Sequence, residues 1–153
     1  MEFALRVVES AAFGLHSMIG MTDPCHGIAR QLTEDSLPRW FFPIAGMCLA
    51  FVALVNFSGV PALVLGAQAF IAAFHSGGVY THWRLKHHPV AGIAPGLFVF
   101  FAAAVAALRA GPLIALIGTA AFAALGVLLG MVLVRPAKPH DEQLMIEKVC
   151  LAQ

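Results

Sequence analysis

An all-α integral membrane helical bundle is the fold this sequence predicts, and three observations predict it. Of 153 residues, 60% are hydrophobic and only 11% are charged, against roughly 25% charged in water-soluble domains. No Asp, Glu, Lys or Arg occurs between Trp40 and Trp83, between His87 and Leu108, or between Ala110 and Val134. Within these stretches the apolar residues run on without alternating, which suits helices and excludes the two-residue period of a barrel strand. A water-soluble fold of this size could not cover so much apolar surface, because it needs charged residues to face water.

A helix needs about 20 mostly apolar residues to cross the hydrocarbon core. The uncharged stretches therefore predict four strong transmembrane helices, at Trp40–Phe57, Val60–His82, Ala91–Leu108 and Pro112–Val134. A charge at a helix centre would oppose insertion by about 2.5–3.5 kcal/mol, and none of the four carries one. The first two are separated at Asn56-Phe-Ser-Gly-Val-Pro61, where Ser, Gly and Pro suit a tight turn and Pro61 suits a first helical turn. Pro43 and Pro95 fall near span starts, where a missing N–H is tolerated.

The N-terminal stretch Phe3–Met21 is helical in pattern but contains Arg6, Glu9 and His16. It is expected to be a fifth crossing, with Arg6 near one end and Glu9 turned into the bundle; the alternative is a helix lying along the surface. Between Thr22 and Arg39 the chain opens with Asp23-Pro24 and closes with Leu37-Pro38, leaving Ile28–Glu34 as a short interfacial helix. The sequence thus divides into a helical bundle over 1–110, an additional transmembrane helix over 111–135 and a polar tail over 136–153.

Charge placement gives an orientation. With five spans, Arg30, Arg39, Arg84, Lys86, Arg135, Lys138 and Lys148 fall on one side and only Arg6 and Arg109 on the other. The positive-inside rule puts the richer side, and with it the C-terminus, on the cytoplasmic, stromal or matrix face of a multi-pass protein. Trp40, Tyr80 and Trp83 mark the same interface, as amphipathic rings do, together with Arg84 and Lys86. A net charge of +1 argues against nucleic acid as a partner, which requires a basic patch. Membrane lipids are the expected contact.

Small residues recur four apart, at Gly92 and Gly96, Ala103 and Ala107, Gly126 and Gly130, and Ala62 and Gly66. Lipid supplies no hydrophobic drive between helices, so close approach over small residues carries much of their association. Gly66, Gly92, Gly96, Gly126 and Gly130 are accordingly candidate packing positions, within the bundle and against other proteins. Gly77-Gly78 either permits close approach or loosens its helix. Cys25, Cys48 and Cys150 form no CxxC pair; Cys48, inside an apolar run, reads as a small buried hydrophobe.

Chemistry concentrates on one helix face. Gln68, His75 and His82 recur every seven residues and so lie nearly above one another. A polar group facing acyl chains costs several kcal/mol, so this stripe should face protein or a bound group. Several roles remain open. His75 can donate axially to a haem iron or a chlorophyll magnesium, the stripe can hydrogen-bond a quinone carbonyl or relay protons, or His75 can simply bond a neighbouring helix. A haem between two histidines would need a second ligand, and only His16 and His82 are available. The loop His82-Trp-Arg-Leu-Lys-His-His88 is basic and suits lipid headgroups or an acidic partner. No catalytic triad, phosphate loop or completed metal-ligand set occurs.

The arrangement resembles the DoxX-like family of small membrane proteins. The likeness runs over residues 3–109: an N-terminal span, an amphipathic link, two coupled spans, Gly78-Val-Tyr-Thr-His-Trp-Arg with a short basic Pro-containing loop, and an Ala- and Leu-rich span ending at Leu108-Arg109. This chain departs from the family in placing Ala53 and Leu54 where members often have a Glu among glycines, and in adding the span Pro112–Val134. The resemblance implies a four-helix core and an accessory role, in some members beside quinol-oxidising or thiol-handling enzymes.

These readings lead to an expected function: a non-catalytic accessory subunit of a larger membrane complex of the energy-converting kind, respiratory or photosynthetic. The alternatives are a redox or pigment subunit that uses His75 or His82, and a small transporter or channel lined by Gln68, His75 and His82.

Overall fold

Proline marks where the helices begin in the computed structural model, which describes residues 1–22, 37 and 40–135. Helix α1 spans Glu2–Thr22, α2 Phe41–Val55, α3 Pro61–Arg84, α4 Ile93–Ala110 and α5 Pro112–Leu133, with a short 3₁₀ turn at Pro89–Gly92 leading into α4. Pro61 and Pro112 open α3 and α5, while Pro43 and Pro95 occupy the first turns of α2 and α4. At these positions an N–H has no intrahelical acceptor, so its loss costs nothing. The interfacial helix expected at 28–34, Cys25, Cys150 and the tail 136–153 lie outside the described residues.

Among the described residues, three segments are long and apolar enough to cross a membrane: Pro61–Arg84, Pro89–Ala110 and Pro112–Leu133. The expected span Trp40–Phe57 is a helix of 15 residues, about 22 Å at 1.5 Å per residue against a hydrocarbon core of about 30 Å. It is shortened at its C-terminal end, where Asn56–Gly59 turn the chain over. Helix α1 has the length, at 21 residues, but carries Glu2, Arg6 and Glu9. Length and composition thus single out three helices rather than four.

The helices form a ring with one addition. Helix α1 lies against α2 and α4, and α3 lies against α4 and, more lightly, α2. Helices α1 and α3 therefore face each other across the ring, and their backbones do not come close. Helix α5 packs outside, along α3 and α4. Phe13, Leu49, Val52, Ala67, Ile71, Ala72 and Ala102 fill the interior, one contribution or more from each of the four ring helices. The outer residues of α5 are left bare, with Leu116 69% and Val132 80% exposed. Such surface is matched by acyl chains, and lipid contact follows.

Two helix ends show how the chain turns. Helix α4 stops at Gly111, whose φ of 91° suits a residue with no Cβ, and Pro112 begins α5 immediately. Helix α3 ends with Lys86 at φ 55°; the Lys86 N–H reaches the Trp83 carbonyl at 3.1 Å and the His87 N–H reaches the His82 carbonyl at 3.0 Å. That pair of bonds is a Schellman closure, in which the left-handed residue satisfies the last free carbonyls.

Candidate functional site

The diagonal gap between α1 and α3 is bridged by polar side chains. Glu9 of α1 and Asn56, at the end of α2, are fully buried, and Gln68 of α3 is 2% exposed. Asn56 Nδ2 donates to Glu9 Oε2 at 2.9 Å. Gln68 Nε2 donates to the same oxygen at 3.1 Å and to Asn56 Oδ1 at 2.8 Å. Three groups that would each oppose burial alone thus satisfy one another. Glu9 Oε1 and Gln68 Oε1 are also buried, and neither has a hydrogen-bond partner among the described residues.

A charged cluster continues from this site to the end of the bundle. Arg6, one turn before Glu9, donates through Nη1 to the Asn56 carbonyl at 2.6 Å. Its Nε lies 3.2 Å from Glu2 Oε1, the same oxygen that accepts from Arg109 Nε at 2.7 Å. Both cations of this end are therefore paired within the protein, through a carboxylate on α1. Arg6 also lies over the Phe3 ring, at 5.8 Å from its centroid.

His75, two turns deeper along α3 than Gln68, sits in a box of rings. Its centroid lies 5.1 Å from Phe13, 5.3 Å from Phe74 and 4.8 Å from Phe98, and its Nε2 is buried without a hydrogen-bond partner. His16 does not enter this box; its ring stands 6.4 Å from Phe74. Gln68 and His75 therefore share one inward face, as their spacing predicts, but serve different surroundings, one polar and one aromatic.

His82 stands apart from both. Its Nδ1 lies 2.8 Å from His87 Nδ1, so its partner comes from the closure of its own helix. In a Schellman closure these two positions usually make an apolar contact, and here two imidazoles make a hydrogen bond instead. Trp83, Arg84 and Lys86 are exposed around them, and Trp40 is exposed at the start of α2, which the hairpin brings to the same end. Tyr80 lies 5.9 Å from Trp83 between ring centroids, and also forms part of the packing against α5. Among the described residues, no group of three or more His, Cys, Asp or Glu is placed to hold a metal ion.

The small residues divide by where they face. Ser76 Oγ lies 2.8 Å from the Ala123 carbonyl of α5 and 3.0 Å from the Ala73 carbonyl of its own helix, its one hydroxyl hydrogen being shared between them. Gly126 sits directly over this point: a Cβ there would run into the Ala73 carbonyl and Ser76 Oγ. A Cβ at Gly130 would stand 2.9 Å from Tyr80 Cδ1, and one at Gly77 3.0 Å from the Gly126 carbonyl. Gly78 turns the other way, toward Pro95 of α4 at 3.6 Å. The Gly77-Gly78 pair thus lets two helices approach α3 on different sides, and α3 remains helical through it. By contrast, a Cβ at Gly66, Gly92 or Gly96 would meet nothing within 4 Å. These three make no close backbone approach within the bundle: Gly66 of α3 is exposed, and Gly92 in the 3₁₀ turn and Gly96 of α4 are half-buried. Cys48 is a free thiol and only half-buried, less enclosed than its apolar neighbourhood suggests.

The sequence pattern anticipated Gln68 and the inward turn of Glu9, but it did not foresee Asn56, which reads as an ordinary turn residue. The available signal was its polarity at the edge of a long apolar run. No family model matches this chain, and no curated protein or solved structure matches it.

Proposed function

We propose that this chain is a non-catalytic accessory subunit of a larger membrane protein complex of the energy-converting kind. The observation that carries this reading is how α5 is mounted. Its glycine face is locked onto α3 through Gly126 and Gly130, while Leu113, Leu116 and Val132 are 68%, 69% and 80% exposed. The inner polar groups Glu9, Asn56, Gln68 and Ser76 hold the helices of this chain to one another. The broad outer face is what remains for other membrane components, lipid or protein. This reading does not rest on the DoxX-like resemblance.

The reading includes five crossings, with α1 and α2 traversing the bilayer beside the three longer spans. It also puts the His82–Lys86 end, and the C-terminus, on the positive side of the membrane. In support, the opposite end carries only Arg6 and Arg109 among the described Lys and Arg residues, and both are paired with the one Glu2 carboxylate. Extraction in a mild detergent, followed by identification of what co-purifies, tests the proposal. Larger membrane subunits travelling with the chain are expected, and recovery solely as a free monomer overturns it.

A second reading is favoured by His75 alone. A buried imidazole nitrogen with no partner, ringed by Phe13, Phe74 and Phe98, suits a redox or pigment subunit in which His75 contacts haem, chlorophyll or quinone. His82 contributes less to that reading, since its Nδ1 is engaged by His87. A visible absorption spectrum of the purified protein decides for haem and chlorophyll, and extraction with mass measurement decides for quinone.

A further inference from the structure

We propose that Glu9, with the Gln68 amide oxygen, forms a binding site for one small monovalent cation, a proton or Na⁺, inside the bundle. The argument begins with a count of donors and acceptors. Gln68 Nε2 carries two hydrogens, and both are engaged, one by Glu9 Oε2 and one by Asn56 Oδ1. Asn56 Nδ2 also donates to Glu9 Oε2. Every donor that reaches the carboxylate therefore converges on one of its two oxygens.

The other oxygen, Glu9 Oε1, is left as a buried acceptor with no donor, and so is Gln68 Oε1. The two side chains are more than nine-tenths buried and are joined by a single hydrogen bond of 3.1 Å. Asn56 Nδ2 keeps a second hydrogen and Arg6 Nε is a buried donor without a hydrogen-bond partner, yet neither reaches these two oxygens. Buried acceptors that no N–H reaches are complemented by a proton or a hard cation. The proton would sit on Glu9 Oε1, with Oε2 keeping its two amide donors. Na⁺ would share Glu9 Oε1 and Gln68 Oε1.

The surrounding charges make such a site reversible. On α1 the ionisable groups are Glu2, Arg6 and His16; α4 contributes Arg109; α3 contributes His75 near the site, with His82 and Arg84 at its far end; α2 carries no charged residue. Arg6 does not bind the Glu9 carboxylate. Its guanidinium is held by the Asn56 carbonyl and by Glu2. Glu2, Glu9, Arg6 and Arg109 sum to zero when Glu9 is ionised, so an added cation raises the charge of this four-residue cluster by one. Occupancy then follows pH or ion concentration and is not permanent. An ionisable group in the interior of a membrane bundle is also where ion and proton handling is usually found.

The test uses the full chain reconstituted in phosphatidylcholine vesicles. Infrared difference spectra are recorded between alkaline and acidic buffer with choline as the only added cation, and again after addition of Na⁺. A protonated-carboxyl C=O band is expected at acid pH, absent in Glu9→Gln and raised in frequency in Gln68→Leu, which removes a hydrogen-bond donor. Reversal of that band by Na⁺ assigns the site to both ions, and indifference to Na⁺ assigns it to the proton alone. Should Glu9→Gln fail to fold, carbon-13 glutamate in the unaltered chain separates glutamate from aspartate bands, and Gln68→Leu singles out Glu9. The proposal is overturned if no carboxyl band moves with Gln68→Leu at any pH and Na⁺ leaves the carboxylate bands unchanged. Persistence of the same band in folded Glu9→Gln overturns it as well.

Discussion

Glu2 Oε1 accepts from Arg109 Nε at 2.7 Å, joining the first turn of α1 to the last turn of α4 across 107 positions of chain. The same oxygen lies 3.2 Å from Arg6 Nε, so one carboxylate is shared by two guanidinium groups. Replacing it with Glu2→Gln leaves two partly buried cations facing each other. An exposed ion pair contributes about 0.2–1 kcal/mol, and this one is more enclosed, so a loss of about 1 kcal/mol is expected. Thermal unfolding in detergent measures it, and the deficit should shrink when Arg109→Gln is added.

Gly126 and Gly96 provide a matched pair. Gly126→Ala forces a methyl group into the Ala73 carbonyl and Ser76 Oγ, and overpacking of this kind costs about 1–3 kcal/mol. Gly96→Ala meets nothing within 4 Å and should be neutral or slightly favourable, since Ala is the better helix former. Unfolding of both variants in the same detergent checks the contrast. Equal effects would mean that α5 is not seated on α3 as described.

The polar bridge should be strongly non-additive. Gln68→Leu alone leaves Glu9 with one fewer donor, at a cost of about 1–3 kcal/mol for the buried group left under-satisfied. Glu9→Leu alone strands the amides in the same way. The double variant still strands the buried Asn56 side chain, which bonds both residues. Recovery of much of the loss is therefore expected only when Asn56→Leu is added, because matched removal is far less costly than leaving one partner behind. A double-mutant cycle by detergent denaturation gives the coupling energy directly.

His75→Phe isolates the imidazole nitrogen from its ring. The site is already lined by Phe13, Phe74 and Phe98, so a fourth phenyl ring should keep stability within about 1.5 kcal/mol, as volume-conserving exchanges do. Under the accessory-subunit reading, co-purification of partners is unchanged in this variant. A visible chromophore present in the unaltered protein and lost in His75→Phe would favour the second reading.

The closure of α3 gives a last expectation. His82 and His87 occupy positions where an apolar contact is usual, so His82→Leu with His87→Leu should preserve the helix end. Either substitution alone leaves an imidazole nitrogen without its 2.8 Å partner and should fray it. Hydrogen exchange at the Lys86 and His87 amides, both bonded in the closure, reports the difference.

Helix positions were legible because they depend on local facts. Pro61 and Pro112 stand at the predicted starts, and uncharged runs announce lipid. The shared face of Gln68 and His75 followed from a seven-residue spacing. What could not be read is which helix each face meets. Gly92 and Gly96 have the same spacing as Gly126 and Gly130, yet only the latter pair faces a neighbour, and spacing carries no information about rotation toward a partner. Asn56 was similarly opaque. Its partner Glu9 is 47 positions away, and its role depends on where a hairpin places it across the ring. Trp40–Phe57 was read too long because the uncharged run continues through Phe57 while the helix has already ended at Val55, with Asn56 as its cap.

The Glu9 bridge also bears on how the chain is made. Synthesis delivers Glu9 first, while Asn56 and Gln68 follow 47 and 59 residues later. Until then the carboxyl has no amide to receive it, and an unaccompanied α1 has little tendency to leave the insertion machinery for open bilayer. Under the five-crossing reading, the arrival of Asn56 and Gln68 supplies the missing donors and releases α1 into the membrane, so the bundle closes around its own beginning rather than growing outward from it.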